Sequence, residues 1–378
     1  MHSPRKAAAA VMAAAAALIL LAGCAGSGGS TDSASQPTQG GSDLTSLIAK
    51  AKSEGSLTFY GDANEASLQA WTKGFSDKYG IPVTVLRLPG SQLFQRFSQE
   101  QSAHQAQADV FANSDYASLQ QAVGQKWLAK YTPQNADLLP KDLGQPGYFY
   151  PVQNSYYQTV TYNTQKLTPD EVALVQKDPV AAAADPRFSG RVAVNMPQSS
   201  QQIAAFYYQL TEGKLKSQYG WKTLQKIAAN KPAFLSSAEL VNAVVQGEYA
   251  IGVGITDSLA APIALQGAPI QFTYPATTIG GTFGDGVVAN APHPNAARLF
   301  MEWATTPDAG TLYSTLTQTK PVNSKVTDNR KLTQQSWYKA PDDSKAWFDF
   351  VTDKDFLAAI GPDGGFYDKW NKTLGYSG

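Results

Sequence analysis

The sequence predicts an α/β protein of two lobes joined by crossover strands. Three observations carry this. Between residue 57 and about residue 125, short β-type runs alternate with segments whose apolar residues recur at helical spacing, the pattern of a parallel sheet with crossover helices. Residues 148–164 (YFYPVQNSYYQTVTYNT) then form one long extended stretch that reads as strands passing between lobes. From residue 191 a second series of strands and helices begins.

The elements follow in order. Leu44, Leu47 and Ile48 mark a short helix ahead of Gly55. Residues 57–60 form the first strand. Gly61-Asp62-Ala63-Asn64-Glu65 is a turn of small and polar residues, and the next helix carries Leu68, Trp71 and Phe75 and stops at Gly80. Residues 82–86 are the second strand, and Ser91 is placed to cap the helix with Leu93, Phe94 and Phe97. Residues 108–112 (ADVFA) form a buried third strand, followed by the polar turn Asn113-Ser114-Asp115 and a helix with Leu119 and Val123.

Beyond the crossover, residues 168–185 read as one largely helical stretch with Val172, Leu174 and Val175. Strand 191–194 leads into a turn containing Gln198, Ser199 and Ser200, then a helix with Ile203, Phe206, Tyr207 and Leu210. Helix 219–229 and short strand 232–235 come next, and Ser236 with Glu239 reads as a capping box for the helix running to Gln246. Strand 249–255 is buried, and Thr256-Asp257-Ser258 opens another helix. Residues 270–275 read as heading back towards the first lobe, 278–290 as a Gly-rich strand, and Pro294 as the first turn of a helix with Leu299, Phe300 and Trp303. Residues 307–378 are helical in patches, with Trp337, Trp347, Phe348, Phe356 and Trp370.

The N-terminus sets the compartment. Arg5 and Lys6 precede an apolar run, residues 7–22, too short for a comfortable membrane span. Leu21-Ala22-Gly23-Cys24 resembles the lipobox of bacterial lipoproteins. The expectation is a signal peptide over residues 1–23, lipid on Cys24, and a flexible Gly/Ser-rich tether through residue 42. Cys24 is the one cysteine in the chain, so no intrachain disulfide is possible.

Cleavage before Cys24 removes Arg5 and Lys6 and no acid, leaving 28 cations against 30 acids. A near-neutral chain gives no electrostatic footprint for nucleic acid. His104 and His293 are the histidines left after cleavage, a thin supply for a zinc site or a catalytic triad, and there is no Gly-x-Ser-x-Gly elbow. Both histidines read as plain surface residues. The chain therefore reads as a binding protein rather than an enzyme, needing no cofactor and no resident metal.

The order and spacing of several segments resemble the extracellular solute-binding proteins of bacterial ABC importers, in the branch containing ferric-ion, thiamine and phosphonate binders. These segments are the first strand, the run Tyr79-Gly80-Ile81-Pro82-Val83 with Arg87 and Gly90, Ala108-Asp109-Val110, Tyr162-Asn163-Thr164, the run from Gly247 to Gly252, and the run from Ala291 to Ala297. The resemblance implies a type II periplasmic-binding fold, capture of a solute by hinge closure, and delivery to a membrane permease. It implies a first lobe of residues 43–155 and 276–306, a second lobe of residues 156–275, and a C-terminal segment, 307–378, packing across both. The protein is expected to be a monomer, in contact with a small-molecule ligand, an ABC permease and, through its anchor, the membrane.

Four turns precede helices and carry small or polar residues: Gly61, Asp62 and Asn64; Asn113 and Ser114; Gln198, Ser199 and Ser200; Thr256, Asp257 and Ser258. Free N–H groups at facing helix N-termini suit a phosphate, phosphonate or carboxylate, although ordinary capping accounts for each turn singly. Ferric binders of the family place adjacent tyrosines where this chain has Thr256-Asp257-Ser258-Leu259, which moves the expected ligand from bare iron towards an iron chelate or an organic anion. Tyr157 of the crossover pair Tyr156-Tyr157 remains a candidate ligand contact, while Tyr207-Tyr208 reads as helix packing. Asp62 and Asp257 leave open a ligand that also carries positive charge. A non-transport sensor on the same fold is the further alternative.

Overall fold

The computed structural model describes residues 41–378; the predicted signal peptide, Cys24 and nearly all of the tether lie outside them. The first helix, α1 (Gly41–Glu54), starts just inside the stretch read as tether. Strand β1 (Leu57–Gly61) leads to α2 (Glu65–Tyr79), which is N-capped by Asn64 and closed by Gly80 at φ 73°, the left-handed position that favours glycine. Strand β2 (Val83–Arg87), helix α3 (Gly90–Ser102), strand β3 (Val110–Asn113) and helix α4 (Tyr116–Gly124) complete the first series. Ser91 does not cap α3: Pro89 takes the cap position without a side-chain bond, and the helix begins at Gly90.

The crossover is a single strand, β4 (Phe149–Asn163), buried along its whole length. Helices α5 (Pro169–Lys177) and α6 (Pro179–Ala183) replace the single stretch expected over 168–185. Pro179 disfavours a helical conformation in the residue before it; Asp178 is extended and caps α6 through Ala181 N–H instead. Strand β5 (Val192–Val194), helices α7 (Gln201–Thr211) and α8 (Gly220–Ala229), and strand β6 (Ala233–Phe234) follow. Ser236 and Glu239 form the predicted capping box of α9 (Ser237–Gln246). Then come β7 (Ile251–Thr256), α10 (Asp257–Leu265), β8 (Ile270–Thr273), β9 (Gly280–Val287), α11 (Pro294–Ala304) and α12 (Pro307–Thr317). Two late helices, α13 (Lys354–Ile360) and α14 (Phe366–Leu374), end the chain.

The strands run β2-β1-β3-β9-β4-β7-β5-β6, with β8 on β4. β1 pairs in parallel with β2 and β3, and β9 closes that side antiparallel to β3. β4 belongs to both halves: Phe149 to Tyr157 pair with β9, and Gln158 to Asn163 pair with β7 and β8. β8 thus lies in the second half, through its antiparallel pairing with Val160 to Asn163.

Each half has its own core. Trp71, Phe75, Phe300 and Trp303 pack beneath β1, and Trp71 Nε1 donates to Ala309 O of α12. Phe188, Phe206 and Tyr207 pack beneath β5 and β7 with Trp347, Phe350, Phe356 and Trp370 of the C-terminal segment. His293 is not a plain surface residue. Its Nδ1 lies 2.9 Å from a carboxylate oxygen of the fully buried Asp109, its backbone N–H donates to the same carboxylate, and Nε2 meets Ser56 Oγ at 3.1 Å.

Candidate functional site

The parallel strands end where the turns between strand and helix gather, the usual position of a ligand crevice in an open α/β sheet. Just past the end of β1, Asp62 is part-buried against the turn after β3. It accepts from Ser114 N–H at 3.1 Å and from Ser114 Oγ at 2.5 Å. Burial pushes its carboxyl up to about 6, against the opposing pull of Ser114 and of Arg87. A β-carbon on Gly90 would come within 2.8 Å of the Asp62 carboxylate, so glycine there makes room for the part-buried acid. Gly61 makes a close approach of the same kind, with the Phe59 ring 2.7 Å from where its β-carbon would lie.

Asn64 and Asn113 are structural in this arrangement. Asn64 Oδ1 caps α2 through Ser67 N–H at 3.0 Å. Asn113 donates to Gly90 O at 3.1 Å and accepts from Asp115 N–H at 2.7 Å, pinning its own turn.

In the second half, Ser200 caps α7 by accepting from Ile203 N–H. Ser199 N–H closes a turn on Met196 O, and the Gln198 side chain is exposed and bonded to Asn371 of α14. The residue that crosses to the first half is one that sequence patterning does not single out. Gln202, in the first turn of α7, donates through Nε2 to Ser114 O at 2.6 Å. Around this contact lie Tyr116, whose hydroxyl bonds Thr282 Oγ1 at 2.9 Å, and the buried Tyr156. Phe348 and Val351 of the C-terminal segment complete the lining of a cavity of about 20 Å³, the size of a single water.

Thr256, Asp257 and Ser258 do not join this group. Successive residues of a strand point to opposite faces. Tyr156 faces the Asp62 side, whereas Tyr157 faces α10, where its backbone N–H donates to Asp257 at 2.9 Å. Tyr274 OH donates to the other Asp257 oxygen at 2.9 Å, and the carboxyl is pushed up to about 6 by burial despite these two donors and Arg330. Thr256 and Ser258 hydroxyls bond each other at 3.0 Å. Tyr157 OH donates to Asp343 at 2.6 Å, and Asp343 also pairs with Lys320. The two groups meet at Phe348, whose ring lies 5.7 Å from that of Tyr157 and against Gly280. Among the described residues, no cluster of three or more His, Cys, Asp or Glu side chains is placed to hold a metal ion.

Residues 61–311 match the family model described as bacterial extracellular solute-binding protein. An uncharacterized protein of Haemophilus influenzae is 24% identical over 272 residues, 68% of this chain and 75% of that protein. Similar solved structures include the substrate-binding protein of an ABC transporter from Agrobacterium tumefaciens, with a TM-score of 0.68 at 16% identity over 84% of this chain and 94% of that one. The periplasmic binding protein AfuA of Actinobacillus pleuropneumoniae, solved with fructose-6-phosphate, has a TM-score of 0.64 at 18% identity over 85% and 99%. Iron-bound HitA of Pseudomonas aeruginosa has a TM-score of 0.62 at 17% identity over 84% and 99%. At these identities the structures establish a shared type II periplasmic-binding fold, and the family match extends across both halves: the chain belongs to the bacterial extracellular solute-binding proteins.

Proposed function

We propose that the chain captures a small organic anion between its lobes by hinge closure and passes it to the membrane permease of an ABC importer. The observation that carries this is the contact between Gln202 and Ser114, which sets the N-terminus of α7 against the first lobe's turn. That N-terminus offers unspent backbone donors and a partial positive charge to an oxyanion. The carboxylate, phosphonate or chelated-iron anion is recognised there by Ser199, Ser200 and Gln202, with hydroxyls from Tyr116 and Thr282 opposite. Aromatic side chains, Phe348 above all, take the ligand's apolar body. The protein works as a binder and not as a catalyst, and Cys24 carries the lipid that holds it outside the cytoplasmic membrane, as the lipobox-like run Leu21 to Cys24 supports.

One cluster favours a second reading, direct binding of ferric ion. Tyr157 and Tyr274 each hold a carboxylate, Asp343 and Asp257, and phenolate with carboxylate is the hard oxygen set that ferric ion prefers. The test is a thermal-shift panel of phosphonates, dicarboxylates, thiamine phosphates, polyamines, ferric citrate and ferric chloride. A ligand at a hundred times its Kd adds about 2.7 kcal/mol of stability. Stabilisation by the anions supports capture of an organic anion. Stabilisation by ferric chloride alone, with a phenolate-to-iron absorption band, supports the second reading. Silence across the panel overturns both.

A further inference from the structure

A separate cavity of about 300 Å³ opens on the first lobe, away from the cleft, between α1, α11 and the loop at residues 130–134. Its walls are fastened. Glu54 at the end of α1 accepts from Asn295 N–H, Asn295 Nδ2 and Ala296 N–H at the start of α11. Glu302 of α11 accepts from Tyr131 OH at 2.5 Å and from Gln134 N–H at 3.1 Å, which ties the loop to the helix.

The charges are unbalanced. Lys50, Lys130 and Arg298 all line the cavity, and among the described residues none of them has an ion-pair or hydrogen-bond partner. The one buried acid in the wall, Glu302, has both oxygens committed to the loop. Asp43, on the rim in the first turn of α1, is the other acid of the lining, and its carboxylate takes no part in holding the walls together. Two ammonium groups and a guanidinium around one space match a phosphate group, with Arg298 supplying the planar fork. Asp43 beside them suits a hydroxyl or ammonium on the same molecule.

We propose that this cavity binds the phosphate of a small ester, distinct from the solute of the cleft. Its volume is at the lower limit of small-molecule sites. The same chemistry comes from a free glycerol phosphate or from the headgroup of an anionic phospholipid. The second source is close at hand if Cys24 is lipidated, because a tether of this composition and length spans on the order of 25 Å and α1 begins where it ends.

The experiment is hydrogen–deuterium exchange of the lipidated chain, with three arms: vesicles of phosphatidylcholine, vesicles containing phosphatidylglycerol, and phosphatidylcholine vesicles with free glycerol 3-phosphate. Slowed exchange over residues 43–50, 130–134 and 295–302 in the second arm alone identifies the headgroup; slowing in the third arm identifies the free ester. Lys130→Met with Arg298→Met is expected to weaken the response about thirty-fold, at about 1 kcal/mol for each basic residue. Equal exchange in all three arms, or an unchanged response in the double variant, overturns the proposal. Neither result depends on what the cleft binds.

Discussion

Gln202 of α7 donates to the carbonyl of Ser114 at 2.6 Å, and Ser114 in turn holds the part-buried Asp62 through its N–H and hydroxyl. One side chain of the second lobe is thus connected to the end of the first strand through a single turn. Gln202→Ala removes a part-buried hydrogen bond whose net worth is about 1 kcal/mol, so the balance between closed and open forms is expected to shift about five-fold towards open. Solution X-ray scattering of the two proteins checks this through the radius of gyration. An unchanged curve would show that the contact does not contribute to closure.

Asp62 makes stability depend on pH in an unusual direction. Its carboxyl titrates at about 6 in the folded protein against 3.8 as an ordinary aspartate, so the fold binds the proton more tightly than the unfolded chain does. Stability is therefore expected to fall as pH rises from about 4 to about 6, by roughly 3 kcal/mol at most, and to level off above. Asp257 is shifted the same way for the same reason and adds to the slope. Melting temperatures between pH 4 and pH 7 test this. Asp62→Asn should flatten part of the decline, and identical slopes for variant and parent would remove Asp62 from the account.

Both oxygens of Asp257 are engaged by the chain itself, by Tyr157 N–H and Tyr274 OH. Asp257→Ala leaves the buried Tyr157 N–H unmet, at about 1–3 kcal/mol, and frees the part-buried Tyr274 hydroxyl at a smaller cost. The expected outcome is a large loss of stability with little change in ligand affinity measured well below the melting point. Asp257→Asn retains the acceptor for one donor and should lose less. A variant that keeps its melting temperature but loses binding would return Asp257 to the site.

Much of the fold is legible in the residues because it is encoded locally. The strand, turn and helix from Leu57 to Tyr79 follow from apolar spacing, the Asn64 cap and the left-handed Gly80. The pairing of β8 is not local: nothing between Ile270 and Thr273 says that its partner is Asn163 and not a strand of the first lobe. The site is harder still. Asp62 is held by Ser114, 52 residues later, and accommodated because Gly90 lacks a β-carbon. Gln202 looks like any polar residue in a first helical turn until the opposite lobe is present. Tyr156 and Tyr157 read as a pair, but strand alternation sends them to different neighbours.

Phe348 occupies the junction of the two polar groups because Gly280 leaves it room. A β-carbon on Gly280 would lie 2.4 Å from the Phe348 ring, closer than any real contact, and Gly280 has no positive φ that would itself forbid alanine. Gly280→Ala is therefore expected to displace the segment around Phe348, whose backbone is held at Trp347 by a bond to Thr278 O. The cost is on the order of 1–3 kcal/mol, as for other overpacked sites. Phe348→Ala removes a half-buried ring and should cost about 1–3 kcal/mol, less than a fully buried Phe. In the double variant the new methyl meets no ring, so it should be more stable than the sum of the two single losses implies, an interaction energy of about 1–3 kcal/mol. Urea unfolding of the four proteins, followed by the summed fluorescence of the chain's seven tryptophans, gives that cycle. Strict additivity would mean that Gly280 and Phe348 do not share the space, and the C-terminal segment would then have no hold on the cleft through this ring.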